Sequence, residues 1–383
     1  MTRLTPAEAE ALILDHMPRF AAREEPLDDC LGRVLAADVV TDRDQPPFDR
    51  VTMDGIAMAY RDWDAGRRSF EVVGTQPAGA PALTAQPGQC VEVMTGTLLP
   101  IGTDTVIPVE RVERRGGTAA VAASATVTAR QYVHHRASDR PADSVVLTAG
   151  TRIGPPEMAV LASAGRARVA VAAQPRVAVI STGDELVDVS APLAPYQIRS
   201  TNDRALQAAL TRERLAAVTR ARLPDESAAL AEAIARLDEG SDALVLSGGV
   251  SMGQFDLVPG MLQSLGAKLV FHRVLQRPGK PMWFGLSARS KPIFALPGNP
   301  VSTLVCAARY IVPALRAASG EPPRAPELAA LAAPFEASPE LTYFMPVKVS
   351  SSPAGVTLAA PRPTNTSGDF VALAGTDGFV ELP

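Results

Sequence analysis

The sequence predicts an α/β multidomain protein in which a doubly wound, mostly parallel sheet is accompanied by β-rich regions. Between residues 176 and 318, short continuous apolar runs alternate with helical segments, as expected for buried parallel strands joined by crossover helices. Between residues 48 and 147, and again after residue 322, short β-rich runs alternate with Gly and Pro turns. We therefore expect one α/β domain and two β-rich modules.

The N-terminal segments are predicted from local pattern. Residues 6–35 are expected to be mostly helical, because apolar residues recur at helical spacing. A cluster of Asp and Pro at residues 42–47 marks a domain boundary, and the β-rich module follows it. Helical character resumes at residues 155–161. Within the α/β region, helices are expected near Ser200-Thr201-Asn202, as a capped start, and from Pro224.

Composition restricts the function classes. A chain of 383 residues is too long for one ordinary core, so we expect two to four domains. The formal net charge of −4 disfavours a broad nucleic-acid-binding surface. No apolar run approaches membrane-spanning length, and the polar N-terminus does not resemble a signal peptide. We expect a cytoplasmic protein with neither nucleic acid nor membrane as a partner.

The cysteines and histidines disfavour a soft-metal site. Cys30, Cys90 and Cys306 are scattered without a CxxC pair, which predicts reduced thiols and neither a disulfide framework nor a zinc site. The histidines are few and dispersed. A hard-cation site made of carboxylates is the alternative that stays open.

Four polar segments follow apolar runs of the α/β region. They are Ser181-Thr182-Gly183-Asp184-Glu185, the Gly-rich segment at residues 247–253 that reaches Asp256, Arg277-Pro278-Gly279-Lys280-Pro281, and the segment at residues 297–302. Ligands of doubly wound sheets bind beyond the carboxyl ends of the strands, so we expect the segments to form one crevice. The glycines let backbone N–H groups approach an anion, and the two cations balance its charge. Phosphate, an oxyanion and magnesium would together satisfy these groups.

The segment at residues 297–302 is predicted to start a helix. Asn299 is expected to cap that helix, and Pro300 suits its first turn, so free N–H groups would face an anion. Taken singly, each of the four segments has a plainer interpretation as a capped turn, a flexible turn, a hairpin turn or a helix cap. Their joint occurrence beside apolar strands favours the functional interpretation.

Short motifs occur in one order along nearly the whole chain. They are Pro46-Pro47-Phe48-Asp49 with Met53-Asp54-Gly55, Met94-Thr95-Gly96, Ser181-Thr182-Gly183-Asp184-Glu185-Leu186, Ser247-Gly248-Gly249-Val250-Ser251, Pro278-Gly279-Lys280-Pro281 and Leu296-Pro297-Gly298-Asn299-Pro300-Val301-Ser302. As a set they resemble the MoeA-type family of molybdopterin molybdenumtransferases, which includes the gephyrin E domain. This resemblance adds expectations of fold, reaction and site.

For the fold, the resemblance implies four domains and a homodimer. The helical and β N-terminal domain would comprise residues 1–45 and 148–175, with a β module at residues 46–147 inserted into it. The molybdopterin-binding α/β domain would comprise residues 176–322, and a C-terminal β-barrel residues 323–383. The active site would lie between two subunits, with the segment at residues 341–369 closing over the Pro-Gly-Asn-Pro loop from the other subunit.

For the reaction, the resemblance implies the last step of molybdenum cofactor assembly. Adenylylated molybdopterin is hydrolysed, AMP leaves, and molybdate is inserted into the dithiolene, with Mg²⁺ beside the pyrophosphate. The pterin adenylyltransferase is an expected partner. Asp54 and Glu185 are implied as the essential carboxylates, and Asp184, Asp225 and Asp256 as magnesium ligands. Substrate and phosphate contacts are implied for Thr182, Gly183, Ser247, Gly248, Gly249, Pro297, Gly298, Asn299 and Ser302, and molybdate contacts for Arg277, Lys280 and Ser367.

The chain departs from the family pattern at several places. Val51-Thr52 stands where Ser-Ala is usual, Arg277 replaces a Lys, and the arginines usual near residues 341–346 are missing. Two alternatives follow. A non-catalytic molybdopterin-binding carrier would keep the crevice without the insertion chemistry. The related pterin adenylyltransferase shares the α/β domain, but the additional β-rich regions disfavour it.

Overall fold

The computed structural model describes residues 4–250, 257–335 and 340–382, and it divides into two compact units. The first unit comprises Met1–Ala37, Ala149–Met158 and Arg168–Pro383. The second comprises Asp38–Thr148 and Ala159–Ala167.

A six-stranded sheet forms the centre of the first unit, and its strands are labelled β1 to β6 in chain order. They are β1 Arg176–Thr182, β2 Ala217–Leu223, β3 Ala243–Ser247, β4 Lys268–His272, β5 Trp283–Leu286 and β6 Pro292–Leu296. The spatial order is β2-β1-β3-β6-β5-β4. The pairs β2/β1, β1/β3 and β3/β6 are parallel, and β5 is antiparallel to both of its neighbours. The sheet is therefore mostly parallel, as predicted.

Helices cover both faces of this sheet. They are α1 Asn202–Thr211, α2 Ser227–Gly240, α3 Leu257–Ser264, α4 Pro300–Cys306 and α5 Val312–Ser319, with a π-helical segment at Ala307–Ile311 between the last two. Val177 and Val179 of β1 belong to one hydrophobic core, and Ala178 and Ile180 belong to another. Because successive strand residues face opposite sides, a strand buried on both faces must be apolar throughout. The doubly wound fold class is confirmed.

The C-terminal region forms a five-stranded sheet. Its strands are Ala330–Leu331, Thr342–Ser351, Thr357–Pro361 and Gly378–Leu382, joined by the short strand Gln276–Arg277 from the α/β region. Gln276–Arg277 runs parallel to Thr342–Tyr343. The loop that carries the predicted cations is thereby attached to the C-terminal sheet.

The N-terminal part of the first unit is less helical than expected. Helix Pro6–His16 starts at a capping box formed by Thr5 and Glu8, and Ala9 and Ile13 are buried in a core of the α/β region. The prediction of helix to about residue 35 was wrong. Ala22–Pro26 instead pairs antiparallel with Arg168–Ala172, so long-range strand pairing overrides the local propensity. A short helix, Pro155–Ser163, precedes the partner strand.

The second unit is dominated by a six-stranded sheet. In spatial order its strands are Thr105–Pro108, Gly55–Met58, Gln89–Val93, Ser69–Gln76, Thr118–Val121 and Val112–Arg115. Two strand pairs, Arg50–Val51 with Val133–His134 and Val39–Val40 with Val145–Leu147, and helix Tyr60–Asp64 complete the unit. The β-rich pattern of this region is therefore found in the fold.

One helix is longer and more apolar than expected, since no apolar run of membrane-spanning length was predicted. Pro300–Ser319 has 20 residues and is long and apolar enough to span a membrane by length and composition, but 61% of its most apolar window is buried inside the protein. Tyr310, Ile311 and Leu315 pack in the core of the α/β region. Core packing therefore accounts for the apolar character of this helix.

Candidate functional site

A large cavity lies at the carboxyl ends of β1, β3 and β6, within the first unit. Its volume is about 1530 Å³, and its walls come from the α/β region and from the C-terminal sheet. Fourteen of the predicted site residues line it: Thr182, Gly183, Glu185, Asp225, Ser247, Gly248, Gly249, Arg277, Lys280, Pro297, Gly298, Asn299, Ser302 and Ser367. The expectation that the four polar segments form one crevice agrees with this arrangement.

Three predicted residues stand apart from this set. Asp184 is not among the residues that line the cavity, although it lies beside one that is. Asp54 belongs to the second unit. Asp256 lies outside the described residues.

One hydroxyl at the end of β1 lies close to a carboxylate, and the neighbouring hydroxyl has no hydrogen-bond partner in the part of the chain that the structure describes. The Thr182 hydroxyl donates a hydrogen bond to the Asp225 carboxylate, and the Asp225 backbone N–H donates to Asp184 Oδ1 at 3.1 Å. Ser181, which is 1% exposed, has a buried Oγ with no hydrogen-bond partner among the described residues. A buried hydroxyl without a partner costs free energy unless a ligand or water satisfies it. Ser181 is a lining residue that the sequence alone did not single out.

The loop after β3 approaches β1 closely at Gly248. Its φ is +109°, and a Cβ placed there would lie 2.5 Å from the Thr182 carbonyl oxygen. Only glycine fits such a position without displacement of the backbone. Gly248 is therefore required for the close approach of this loop to β1.

Asn202 links two of the lining loops. Its Nδ2 donates to Ser247 Oγ at 2.8 Å and to the Gly298 carbonyl oxygen at 2.7 Å. The sequence placed Asn202 correctly at the start of a helix. It did not predict that the side chain of Asn202 joins two loops. Asn202 is at the first position of α1, and its side chain holds the loops after β3 and β6 together.

Asn299 lies at the N-cap position of α4, but its side chain does not cap the helix. Its Nδ2 instead donates to Ser367 Oγ at 2.9 Å, and the Val301 N–H donates to the Ser367 carbonyl oxygen at 3.0 Å. The prediction that Asn299 caps the helix was wrong, because its side chain is hydrogen-bonded to Ser367 instead. The expectation that this C-terminal segment comes from another subunit is also wrong, since Ser367 here reaches the loop within one chain.

The cations border an aromatic wall. Arg277 and Lys280 are both exposed and line the cavity. The Arg277 guanidinium carbon lies 6.0 Å from the centre of the Tyr343 ring, and Phe335 contacts that ring edge-on at 5.6 Å. Tyr343 lies in the segment where arginines were expected. The charge of this wall therefore comes from the loop at Arg277 and Lys280, and the neighbouring strand supplies apolar surface.

The carboxylates do not form a ready-made metal cage. No group of three or more His, Cys, Asp or Glu side chains is placed to hold a metal ion in the described part of the chain. Magnesium, however, takes one or two carboxylates and keeps waters and substrate phosphates as its other ligands. The Asp225 carboxylate and the Thr182 hydroxyl are hard oxygen donors that lie together at the cavity wall. This donor set fits a magnesium ion that arrives with a phosphorylated substrate.

In the second unit, Asp54 is held by hydrogen bonds from Thr95 of the same unit. Asp54 Oδ1 accepts hydrogen bonds from the Thr95 hydroxyl at 2.7 Å and from the Thr95 N–H at 2.6 Å. These bonds stabilise the charged form and hold the pKa of Asp54 below its usual range. Asp54 and Thr95, from two separate sequence motifs, are thus brought together as an ionised carboxylate on an exposed turn.

Family comparisons cover almost the whole chain. Residues 4–165 match the family described as MoeA N-terminal region (domain I and II). Residues 178–317 match the family described as probable molybdopterin binding domain, and residues 329–383 match MoeA C-terminal region (domain IV).

Similar proteins include two named molybdopterin molybdenumtransferase. The protein from Synechocystis sp. is 40% identical over 380 residues, which is 98% of this chain and 95% of that protein. The protein from Bacillus subtilis is 32% identical over 370 residues, 93% of this chain and 85% of that protein. Two crystal structures of the molybdopterin biosynthesis MoeA protein from Pyrococcus horikoshii cover 100% of this chain, and 95% and 96% of their own chains. Their TM-scores are 0.81 and 0.84 at 30% and 27% identity.

Proposed function

The chain belongs to the MoeA family of molybdopterin molybdenumtransferases, and we propose that it inserts molybdenum into adenylylated molybdopterin with magnesium-dependent release of AMP. Its place in molybdenum cofactor biosynthesis follows from the family. Our proposal adds the release of AMP, the requirement for magnesium and the roles of individual residues.

One observation carries the proposal. Two exposed cations, a Gly-rich loop and hydroxyls beside a carboxylate surround one cavity of about 1530 Å³. That volume exceeds the several hundred Å³ of an ordinary small-ligand pocket, and it suits a substrate that carries both a pterin and a nucleotide. The cations of the cavity can pair with the phosphates of such a substrate, and the carboxylates can pair with a metal ion.

The residues of the chain divide into groups by what they can do. The loops at Gly248, Gly249 and Gly298 bring backbone close to the substrate and place its phosphates. Arg277 and Lys280 bind the molybdate oxyanion and balance its charge, with Ser302 and Ser367 as hydroxyl donors.

At the other end of the cavity, Glu185 orients the attacking water and takes its proton. Asp225 and Thr182 would hold magnesium, with Asp184 and, outside the described residues, Asp256 as further candidate ligands. When bound, magnesium neutralises the pyrophosphate and favours departure of AMP. The substrate supplies its own dithiolene sulfurs, so no cysteine of the chain need bind molybdenum.

The quaternary setting rests on family resemblance. We propose a cytoplasmic homodimer in which Asp54 is the second essential carboxylate, and the pterin adenylyltransferase as the partner that supplies the substrate. The hydrogen bonds from Thr95 lower the pKa of Asp54 and fix the orientation of its ionised carboxylate.

A carrier without insertion chemistry is the second candidate. Tyr343 stands in the segment where arginines were expected and packs against Phe335, so this wall adds no charge to the oxyanion site. Such a carrier would bind adenylylated molybdopterin and leave it intact.

One experiment separates the two functions. Adenylylated molybdopterin, magnesium and molybdate are supplied, and AMP release and molybdenum incorporation are measured. We expect both products from the wild type, and about 10- to 100-fold less molybdenum incorporation from Lys280→Ala, since a charge-assisted contact is lost. Lys268→Ala, at an exposed position on β4, is the matched control. Substrate binding without any AMP release would support the carrier instead.

A further inference from the structure

Behind the cationic loop lies a side-chain amide that is almost completely buried. Gln276, the residue before Arg277, is 1% exposed, and its amide group makes several polar contacts. Its Nε2 donates to the Pro278 carbonyl oxygen at 3.0 Å and lies 3.6 Å from Cys306 Sγ. Its Oε1 accepts a hydrogen bond from the Tyr310 hydroxyl. Burial of an amide costs free energy unless its polar atoms are hydrogen-bonded, as they are here. An amide at this buried position therefore suggests a specific role for these hydrogen bonds.

The loop is packed directly onto this amide. Gly279 has a φ of +95°, and a Cβ there would lie 2.5 Å from Gln276 Nε2 and 2.8 Å from Cys306 Sγ. The loop backbone therefore rests on the amide and the thiol with no room for a side chain. Burial raises the pKa of the Cys306 thiol to about 12, so this sulfur is a neutral packing group.

Tyr310 comes from the helix that also carries Ser302. Pro300–Ser319 is one long helix that widens into a π-helical segment at Ala307–Ile311, where Tyr310 lies. Such segments are rare and are frequently associated with functional sites. Tyr310 is 1% exposed, and burial raises the pKa of its phenol, which stays a hydrogen-bond donor. One helix therefore lines the cavity at its start and contacts the support of the cationic loop further along.

From this geometry we infer that Gln276 and Tyr310 are positioning residues, which fix the Arg277–Lys280 loop relative to Ser302 so that its cations meet the oxyanion. The inference rests on the proposed role of this loop in molybdate binding. Tyr310 is not among the residues that line the cavity, and Gln276, although it is one of the lining residues, is only 1% exposed. Their effect passes through Pro278 and Gly279, and a loop misplaced by a fraction of an ångström loses charge-assisted contacts that depend on geometry.

The test measures binding of molybdate alone by titration calorimetry. We expect Tyr310→Phe to weaken binding about three- to tenfold, the effect of one hydrogen bond. Tyr60→Phe, in the second unit, is the matched control and is expected to bind as the wild type does. Molybdate affinity in Tyr310→Phe equal to that of the wild type overturns the inference.

A double variant separates positioning from simple stability. In Gln276→Met/Tyr310→Phe the phenol and its amide acceptor are removed together, so the melting temperature is expected to exceed that of Tyr310→Phe. Molybdate affinity is expected to stay low, because the Pro278 carbonyl still lacks its donor. Recovery of affinity together with stability would show a structural role only, and would overturn the inference even if Tyr310→Phe alone folds poorly.

Lys280→Ala distinguishes this inference from the proposed function. If Lys280→Ala binds molybdate as the wild type does, or if the wild type shows no binding, the proposed oxyanion role of the loop fails. If Lys280→Ala weakens binding and Tyr310→Phe does not, only the positioning inference fails.

Discussion

The cavity of the first unit and the Asp54 turn of the second unit hold their polar groups in different ways. At the cavity, Asn202 donates to the buried Ser247 hydroxyl and to the Gly298 carbonyl. The buried Thr303 hydroxyl behind the same loop donates to the Pro297 carbonyl. On the turn, Asp54 is exposed and takes both of its hydrogen bonds from Thr95. The stability of a buried hydrogen-bond network depends on the available space and on the backbone conformation. The charge of an exposed carboxylate depends instead on its protonation. The two regions should therefore respond to different perturbations.

The largest expected effect is steric and belongs to the cavity. Gly248→Ala places a Cβ where the Thr182 carbonyl is 2.5 Å away, in a backbone conformation with φ +109°. We expect a loss of about 3 kcal/mol of folding free energy and of most of the activity, since strain and overpacking add. Urea unfolding measures the loss of folding free energy, and AMP release measures the loss of activity.

Gly355→Ala is the control for that substitution. Gly355 has a φ of +79° but nothing within 4 Å of the Cβ position, so it isolates the conformational strain, about 1 kcal/mol. Equal losses in the two variants would show that the close approach to Thr182 contributes nothing.

A smaller effect is expected from the polar network of the same cavity. Asn202→Ala removes the donor to Ser247 Oγ and to the Gly298 carbonyl, which should cost about 1–2 kcal/mol of stability and weaken substrate binding. Thermal unfolding and substrate titration are the measurements. Gln207→Ala, on the same helix α1, serves as the control. A loss of stability with unchanged substrate affinity would remove Asn202 from the site.

The smallest effect is a pH shift on the Asp54 turn. Both bonds from Thr95 lower the pKa of Asp54, and Thr95→Val removes the hydroxyl donor while keeping the backbone donor. The pKa of Asp54 should then rise towards its ordinary value. If the ionised carboxylate is required, the acidic limb of the activity profile moves to higher pH.

The sign of the stability effect follows from the same shift. A carboxyl whose pKa is lowered by folding adds stability above its unfolded pKa, and that stability is lost as pH falls through the folded pKa. Wild type and Thr95→Val should therefore converge in stability at low pH and differ near neutral pH. An NMR titration of Asp54 checks the pKa itself, and an unchanged titration midpoint would contradict the assignment of its low pKa to the Thr95 hydroxyl.

Much of the fold and part of the site could be predicted from sequence. The apolar runs of β1, β3 and β6 and the polar loops after them were located from local pattern, because burial on both faces demands continuous apolar residues. Asn202 and Asn299 were both assigned to helix starts, which is where both lie. Their actual hydrogen-bond partners are distant in sequence, and no local pattern specifies these.

Local pattern was enough to locate strands β1, β3 and β6 and the polar loops that follow them, and the ordered motifs were enough to indicate the family. Packing of the folded chain brings Ser367 to Asn299 within one chain and Tyr310 to Gln276 behind the cationic loop, and no local pattern specifies either pair. The physical reason lies in the range of the interactions. Periodicity and backbone preference act over a few residues, whereas a buried hydrogen bond joins whichever groups the packed chain brings into contact.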